Sequence, residues 1–164
     1  MPPLSFSIRA AGASDRVPVT RLLRRSYPQL LCHDYAPTTL RAALPLITSA
    51  QPSLLGCGTY FLAEDDETGV VIGAGGWTDF SPARGISAVG DGHMRHLATD
   101  PDHLRRGVAR ALTQHALASA YRFGMQRMHC MSTLSAQAFY ASMGFEAYGE
   151  IELTLAPGVY FPAV

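Results

Sequence analysis

The stretch from His96 to Leu112, His-Leu-Ala-Thr-Asp-Pro-Asp-His-Leu-Arg-Arg-Gly-Val-Ala-Arg-Ala-Leu, constrains this chain more than any other. It reads as a strand, a tight loop and the start of a helix. Leu97, Ala98 and Thr99 can extend. Asp100-Pro101-Asp102 stops the extension, because proline fixes φ and brings no N–H donor, and Ala109 to Tyr121 has the composition of a good helix. Between them lies Arg105-Arg106-Gly107-Val108-Ala109. Amides at a helix start lack intrahelical partners and sit at the positive end of the macrodipole, so they attract an anion, and small residues let it approach the backbone closely. Arg105, Arg106 and Arg110 add charge that suits phosphate. Arginines in a first helical turn are also often only solvated, so the local sequence leaves a phosphate site and an ordinary helix start as alternatives.

At 164 residues the chain has the length of one domain and can bury a substantial core, so residues 1–164 are expected to form a single unit. A formal net charge of zero gives no general reason to expect nucleic acid or an anionic membrane as partner. Met-Pro-Pro-Leu-Ser-Phe is not a basic region followed by a long apolar run, and no apolar stretch is long enough to span a bilayer. A cytoplasmic location is the expectation. Cys32, Cys57 and Cys130 are odd in number and lack metal-ligand spacing, which argues against both a disulfide framework and a zinc site.

Leu4 to Ala10 alternates apolar and polar residues, as a half-buried strand does. Ser14 or Asp15 caps a helix expected to run to about Ser26 and to end at Tyr27-Pro28. Thr38 or Thr39 caps a second, which Pro45 should kink or shorten. Thr59 to Ala63 and Val70 to Trp77 flank a turn at Asp65 to Gly69, making a hairpin. The glycines at 73, 75 and 76 lie inside its second arm and no helix follows, so they mark a bulge or close backbone approach rather than a dinucleotide loop. Ser81 to Asp91 reads as a loop, and Gly92 to Thr99 as the strand feeding the opening stretch. Strands follow at Arg127 to Ser132, Phe145 to Tyr148, Ile151 to Leu155 and Val159 to Phe161, with a short helix from Ser135 to Met143. This is a mixed α/β domain with one central sheet.

The element order, the Arg-Arg-Gly-Val-Ala loop and Ala138-Phe139-Tyr140-Ala141-Ser142-Met143-Gly144-Phe145 together resemble the GCN5-related N-acetyltransferase (GNAT) superfamily. The resemblance implies a central, mostly antiparallel twisted sheet of six to seven strands flanked by about four helices. It implies acetyl-CoA as co-substrate, with no metal. Its signature is Gln or Arg, two residues, Gly, one residue, then Gly or Ala; Gly107 and Ala109 match, whereas Leu104 stands at the Gln/Arg position. Carried over position by position, Leu97, Ala98 and Thr99 match the strand that pairs with the pantetheine arm, and Arg105, Arg106, Gly107, Val108, Ala109 and Arg110 match the pyrophosphate loop. Thr133 falls where many members place a cofactor-contacting Asn, and Tyr140 matches the usual general acid.

The chemistry implied is attack of an amine on a thioester, which needs a neutral amine, a hydrogen-bond donor for the carbonyl oxygen and a proton for the leaving sulfur. A backbone N–H near Ala98 is the expected donor. Where many relatives carry Glu, six residues before Thr99, this chain has His93, which can accept a proton or serve as a hydrogen-bonded structural residue. Strict strand alternation puts His96 on the opposite face from His93, which argues against a metal pair. The expected acceptor is a small-molecule amine, entering between the Tyr27 to Pro37 segment and the region of Trp77 and Asp79. Acetylation of a protein N-terminus or lysine, and a non-catalytic acyl-CoA-binding module, are the alternatives. The family also admits a homodimer.

Overall fold

A computed structural model of the protein describes residues 3–80 and 88–164. Most of the loop expected from Ser81 to Asp91, residues 81–87, lies outside the described residues. The chain begins with β1 (Phe6–Ala10), α1 (Arg16–Leu31), α2 (Pro37–Ile47) and α3 (Pro52–Leu55), followed by the meander β2 (Tyr60–Asp65), β3 (Val71–Thr78) and β4 (Asp91–Thr99). Then come α4 (Val108–Arg122), β5 (Arg127–His129), α5 (Gln137–Ser142) and the hairpin β6 (Ile151–Ala156) and β7 (Val159–Ala163). The first five strands form one sheet in the order β1-β2-β3-β4-β5, antiparallel throughout except for the parallel β4–β5 pair. β6 and β7 form a separate antiparallel pair, tied to the segment after β5 by a bridge between Thr133 and Ala163. Where the resemblance implied one sheet of six to seven strands, the described residues hold seven, divided into a sheet of five and a separate pair.

Two apolar layers sandwich the five-stranded sheet. On one face α1 presents Val19, Leu22, Leu23, Ser26, Tyr27 and Leu31, the three-to-four spacing of an amphipathic stripe, against Leu62, Ala74 and Ala98. On the other, Val108, Leu112, Ala116 and Ala120 of α4 pack on Phe61, Ala63 and Trp77, and the Trp77 indole donates to Ser119 Oγ at 3.1 Å.

Several boundaries differ from expectation, each for a physical reason. α1 does not stop at Tyr27-Pro28 but continues to Leu31, with Pro28 inside it. An interior proline costs about 3 kcal/mol. Burying Tyr27 and Leu31, each worth about 1.5–3 kcal/mol, offsets that. α2 starts two or three residues earlier than a cap at Thr38 or Thr39 would place it, with Ala36 as the flanking residue and Pro37 in the first turn, where a missing N–H is harmless. The strand expected from Arg127 to Ser132 ends at His129, and Phe145 to Tyr148 is not a strand. α3 was not anticipated: its four residues are too few for a period to show.

The strand glycines hold the layers close. At Gly76 a Cβ would lie 2.2 Å from the Thr59 carbonyl oxygen and 2.5 Å from Tyr60 Cα, both backbone at the start of β2. Gly76→Ala is therefore expected to destabilise the fold by about 2–3 kcal/mol in urea unfolding. Gly12→Ala, whose Cβ meets nothing closer than 3.9 Å, should stay within about 0.5 kcal/mol of the parent.

Candidate active site

The site begins where β4 loses a neighbour. β4 pairs with β5 only at Asp91, Gly92 and His93, opposite Arg127, Met128 and His129. Beyond His129 the chain turns to the C-terminal hairpin: Ser132 and Val164 exchange backbone hydrogen bonds of 2.8 and 2.9 Å. From Met94 to Thr99 the ladder partner of β4 is β3 alone. The Asp100 amide donates to Ile72 O at 2.8 Å, and Thr99 and Ala98 oppose Gly73 and Ala74. The alternation of an antiparallel ladder then turns the N–H and C=O of Ala98 toward β3, and those of Leu97 and Thr99 toward the gap left by β5. The open donors thus flank Ala98 rather than belonging to it.

A bulge sharpens the opening. Gly73 and Ala74 pair with Thr99 and Ala98, but Gly76 pairs with Arg95, so His96 and Leu97 together oppose Gly75. His96 takes a positive φ of 39°, and the Tyr60 hydroxyl donates to its carbonyl at 2.8 Å. One extra residue reverses which face the following side chains occupy. Strict alternation therefore fails at His96: it packs on the same side as α1 and α3, in a small cavity with Val19, Leu23, Leu55 and Tyr60, its Nε2 3.4 Å from Gln51 Nε2. Burial, then the Arg95 charge, push its pKa down to about 4. His93 lines a different, larger cleft.

The loop after β4 is built around Asp100. Its buried carboxylate accepts from Arg25 Nε at 2.7 Å, from the Asp102 amide at 2.9 Å and from His103 Nδ1 at 3.2 Å. Burial raises its pKa, but these hydrogen bonds, led by Arg25, outweigh burial and hold it below the ordinary carboxylate range. Arg105 and Gly107 then take positive φ values of 58° and 85°, and Val108 begins α4, packed in the core. The first intrahelical bond of α4 is donated by Ala111 to Gly107 O at 3.0 Å, so the amides of Val108, Ala109 and Arg110 precede it. A Cβ on Gly107 would meet nothing within 4 Å. Arg105 and Arg110 are exposed beside this open cradle.

At the other end of the parted strands lies a cleft of about 860 Å³ lined by Asp91, His93, His129, Cys130 and Tyr140. The His93 ring stacks on His129, centroids 5.2 Å apart, and His129 Nε2 lies 3.0 Å from Asp91 Oδ2. Burial, then the His129 charge, lower the His93 pKa. Tyr140 is held by Phe139 and Phe145 at 5.4 Å each, its hydroxyl in contact with the Cys130 thiol, and burial raises its pKa well above the ordinary value. His93 and Tyr140 thus line one cleft, while Leu97, Ala98, Thr99 and the loop from Arg105 to Arg110 lie outside its lining, where β4 runs on past the end of β5. Thr133 carries the bridge to Ala163 and precedes the turn into α5, and Leu104 is exposed in the loop. Sequence reading missed Arg25, which is 75 residues from its partner, and the Asp91–His129 pair, which becomes visible only once β4 and β5 are known to be parallel neighbours.

The acetyltransferase (GNAT) domain family matches residues 56–147, more than half of the chain, and the chain belongs to that family. Solved structures agree on the fold. A GCN5-related N-acetyltransferase from Rhodopseudomonas palustris superposes with a TM-score of 0.76 at 18% identity, covering 99% of this chain and 93% of that one. The PaiA N-acetyltransferase from Thermoplasma acidophilum, solved with coenzyme A, gives 0.68 at 12% identity over 98% of each chain. YhbS from Escherichia coli, a GNAT family N-acetyltransferase solved with CoA, gives 0.62 at 27% identity over 89% of this chain and 71% of that one. No curated protein matches the sequence.

Asp100→Asn tests the loop's anchoring. The depressed carboxyl contributes stability above the unfolded value near pH 4, lost as pH falls through the folded value. The variant should therefore lose about 1–2 kcal/mol at pH 7, limited by solvent screening at the half-exposed Arg25, and converge on the parent in urea unfolding at progressively lower pH.

Proposed function

We propose that this chain is an acetyl-CoA-dependent N-acetyltransferase, one domain over residues 1–164, acting on the primary amine of a small molecule. The observation that carries the reading is the parting of β4 from β5 after His93, with a glycine-led helix start beyond the open edge and a cleft lined by His93 and Tyr140 at the paired end. The residues suit the co-substrate. The open cradle at Gly107 and the amides of Val108, Ala109 and Arg110, with Arg105, Arg106 and Arg110 nearby, would hold a pyrophosphate. The one-sided backbone of Leu97 and Thr99, about Ala98, would pair with an amide-bearing pantetheine arm as a strand would. Acetyl-CoA supplies the activated acetyl thioester.

The chain's own groups then have distinct tasks. The outward amides of Leu97 and Thr99 donate to a carbonyl oxygen. Tyr140 stays protonated at neutral pH because burial disfavours the phenolate, so its hydroxyl holds a proton for a leaving sulfur. His93, its pKa lowered by burial and by its neighbour His129, is neutral at pH 7 and takes a proton from the incoming ammonium. Asp91 orients His129 behind it.

Calorimetric titration should show acetyl-CoA binding at micromolar concentration, and absence of binding at high micromolar would overturn the reading. Tyr140→Phe should lower kcat by about 10²-fold or more with little change in acetyl-CoA affinity. The ascending limb of kcat/KM against pH should lie below 6.5 and be lost in His93→Gln. An ascending limb unaltered by that change removes His93 from the mechanism.

A further inference from the structure

One buried charge has no counter-charge. Arg95, 8% exposed, is the one buried guanidinium among the described residues. Its partners are neutral: Nη1 donates to Thr78 Oγ1 at 3.1 Å, Nη2 reaches Gln51 Oε1 at 3.4 Å, and the group lies 5.5 Å from the Phe80 ring centroid. Nε is buried without a hydrogen-bond partner. Among the described residues Arg95 joins no ion pair, and residues 1–2 and 81–87 contain no Asp or Glu that could supply one. An unpaired buried charge is costly, and such groups are ordinarily paired with an opposite charge. The contrast with Arg9 and Arg25, each bound to carboxylates at a more exposed site, shows that this chain does pair its arginines elsewhere.

The position says what the missing partner belongs to. His93 and Arg95 oppose Thr78 and Gly76 in an unbroken run of register, so both project from the same face of β4, while Met94 packs in the opposite layer with Trp77. Their Cα atoms are separated by roughly 6.8 Å along the strand. Resting on the acetyltransferase reading above, we propose that Arg95 is the specificity residue that receives a carboxylate of the acceptor, and that the acceptor is a small amino acid-like molecule carrying amine and carboxylate a few bonds apart. The amine lies at His93 and the carboxylate at Arg95. Nε, unpartnered but shielded in the empty fold, and the weakly held Nη2 share the planar edge that suits a carboxylate through two parallel hydrogen bonds, so the acceptor is received as Gln51 yields its long contact and the edge is uncovered. One guanidinium beside a neutral imidazole matches a monoanion better than a doubly charged phosphate.

Two measurements on the full chain test this. The first is thermal unfolding without ligand. A guanidinium kept for an absent anion weakens the empty fold, so Arg95→Met should leave Tm unchanged or raise it by about 2–4 °C. A fall of that size identifies Arg95 as a structural clamp and overturns the proposal. The second is release of CoA thiol from acetyl-CoA with matched acceptors: glycine and glycinamide, β-alanine and β-alaninamide, 4-aminobutyrate and its amide. The carboxylate member should exceed its amide by about tenfold or more in kcat/KM. That ratio should collapse toward one in Arg95→Met and recover in part in Arg95→Lys. Equal use of both members, or a preference that survives Arg95→Met, overturns the proposal and leaves the acetyltransferase reading standing. Failure to bind acetyl-CoA in calorimetry overturns both. If no pair is turned over, the unfolding comparison decides.

Discussion

Everything that makes the site depends on a hydrogen-bond ladder that stops early. An extended backbone needs partners for its N–H and C=O groups, and β4 has them on both sides only as far as His93. The strand that would have continued the pairing is held elsewhere. Ser132 and Val164 exchange two backbone bonds, and Thr133 bridges Ala163, so the C-terminal hairpin competes for the end of β5 and draws it from β4. What remains is a row of donors and acceptors on Leu97 and Thr99 facing a gap rather than a strand. That gap is kept open by the hairpin's own pairing.

The anion-binding end relies on contacts far apart in sequence. The first turn of α4 can press against the sheet because Gly73 has no side chain: a Cβ there would lie 2.6 Å from Val108 Cγ1 and 2.9 Å from Leu112 Cδ1. The loop leading into that turn is tethered from the opposite layer by Arg25 of α1 on Asp100. A cradle whose amides must converge on one ligand gains from being fixed on both sides. Helix α4 seats its end, and α1 holds its beginning.

The same contacts explain what could be read from the sequence and what could not. The strand, loop and helix from Leu97 onward were readable because proline, glycine and helix-forming residues act locally, and the observed α4 differs from expectation by one residue at each end. The hairpin at Asp65 to Gly69 was readable for the same reason. Pro28 misled because its local effect was outweighed by the burial of Tyr27 and Leu31, a tertiary term. His96 misled because the glycines of β3 mark a bulge or close approach without saying that the extra residue lies in β4, where it breaks the two-residue period. Arg25 and the Asp91–His129 pair were hidden by sequence distance.

That bulge accounts for how one short strand serves two faces of a reaction. Before it, His93 and Arg95 project toward the α1 side, the side on which Gln51 lies; after it, Ala98 takes that side while Leu97 turns to the α4 layer. If the same residues alternated regularly through His96, the parity of Leu97 and Ala98 would be reversed, driving Leu97 into the close packing of α1 and removing it from α4. The glycine opposite is part of the device: at Gly75 a Cβ would strike Leu97 Cδ1 at 2.7 Å. In the proposed reading the residues before the bulge belong to the acceptor and those after it to the donor. Their separation by a single irregular residue, His96 at a φ of 39°, brings a base, an acceptor carboxylate and a thioester within reach of one strand. A regular strand of these same residues, His96 included, would put Leu97 on the α1 side and Ala98 on the α4 side.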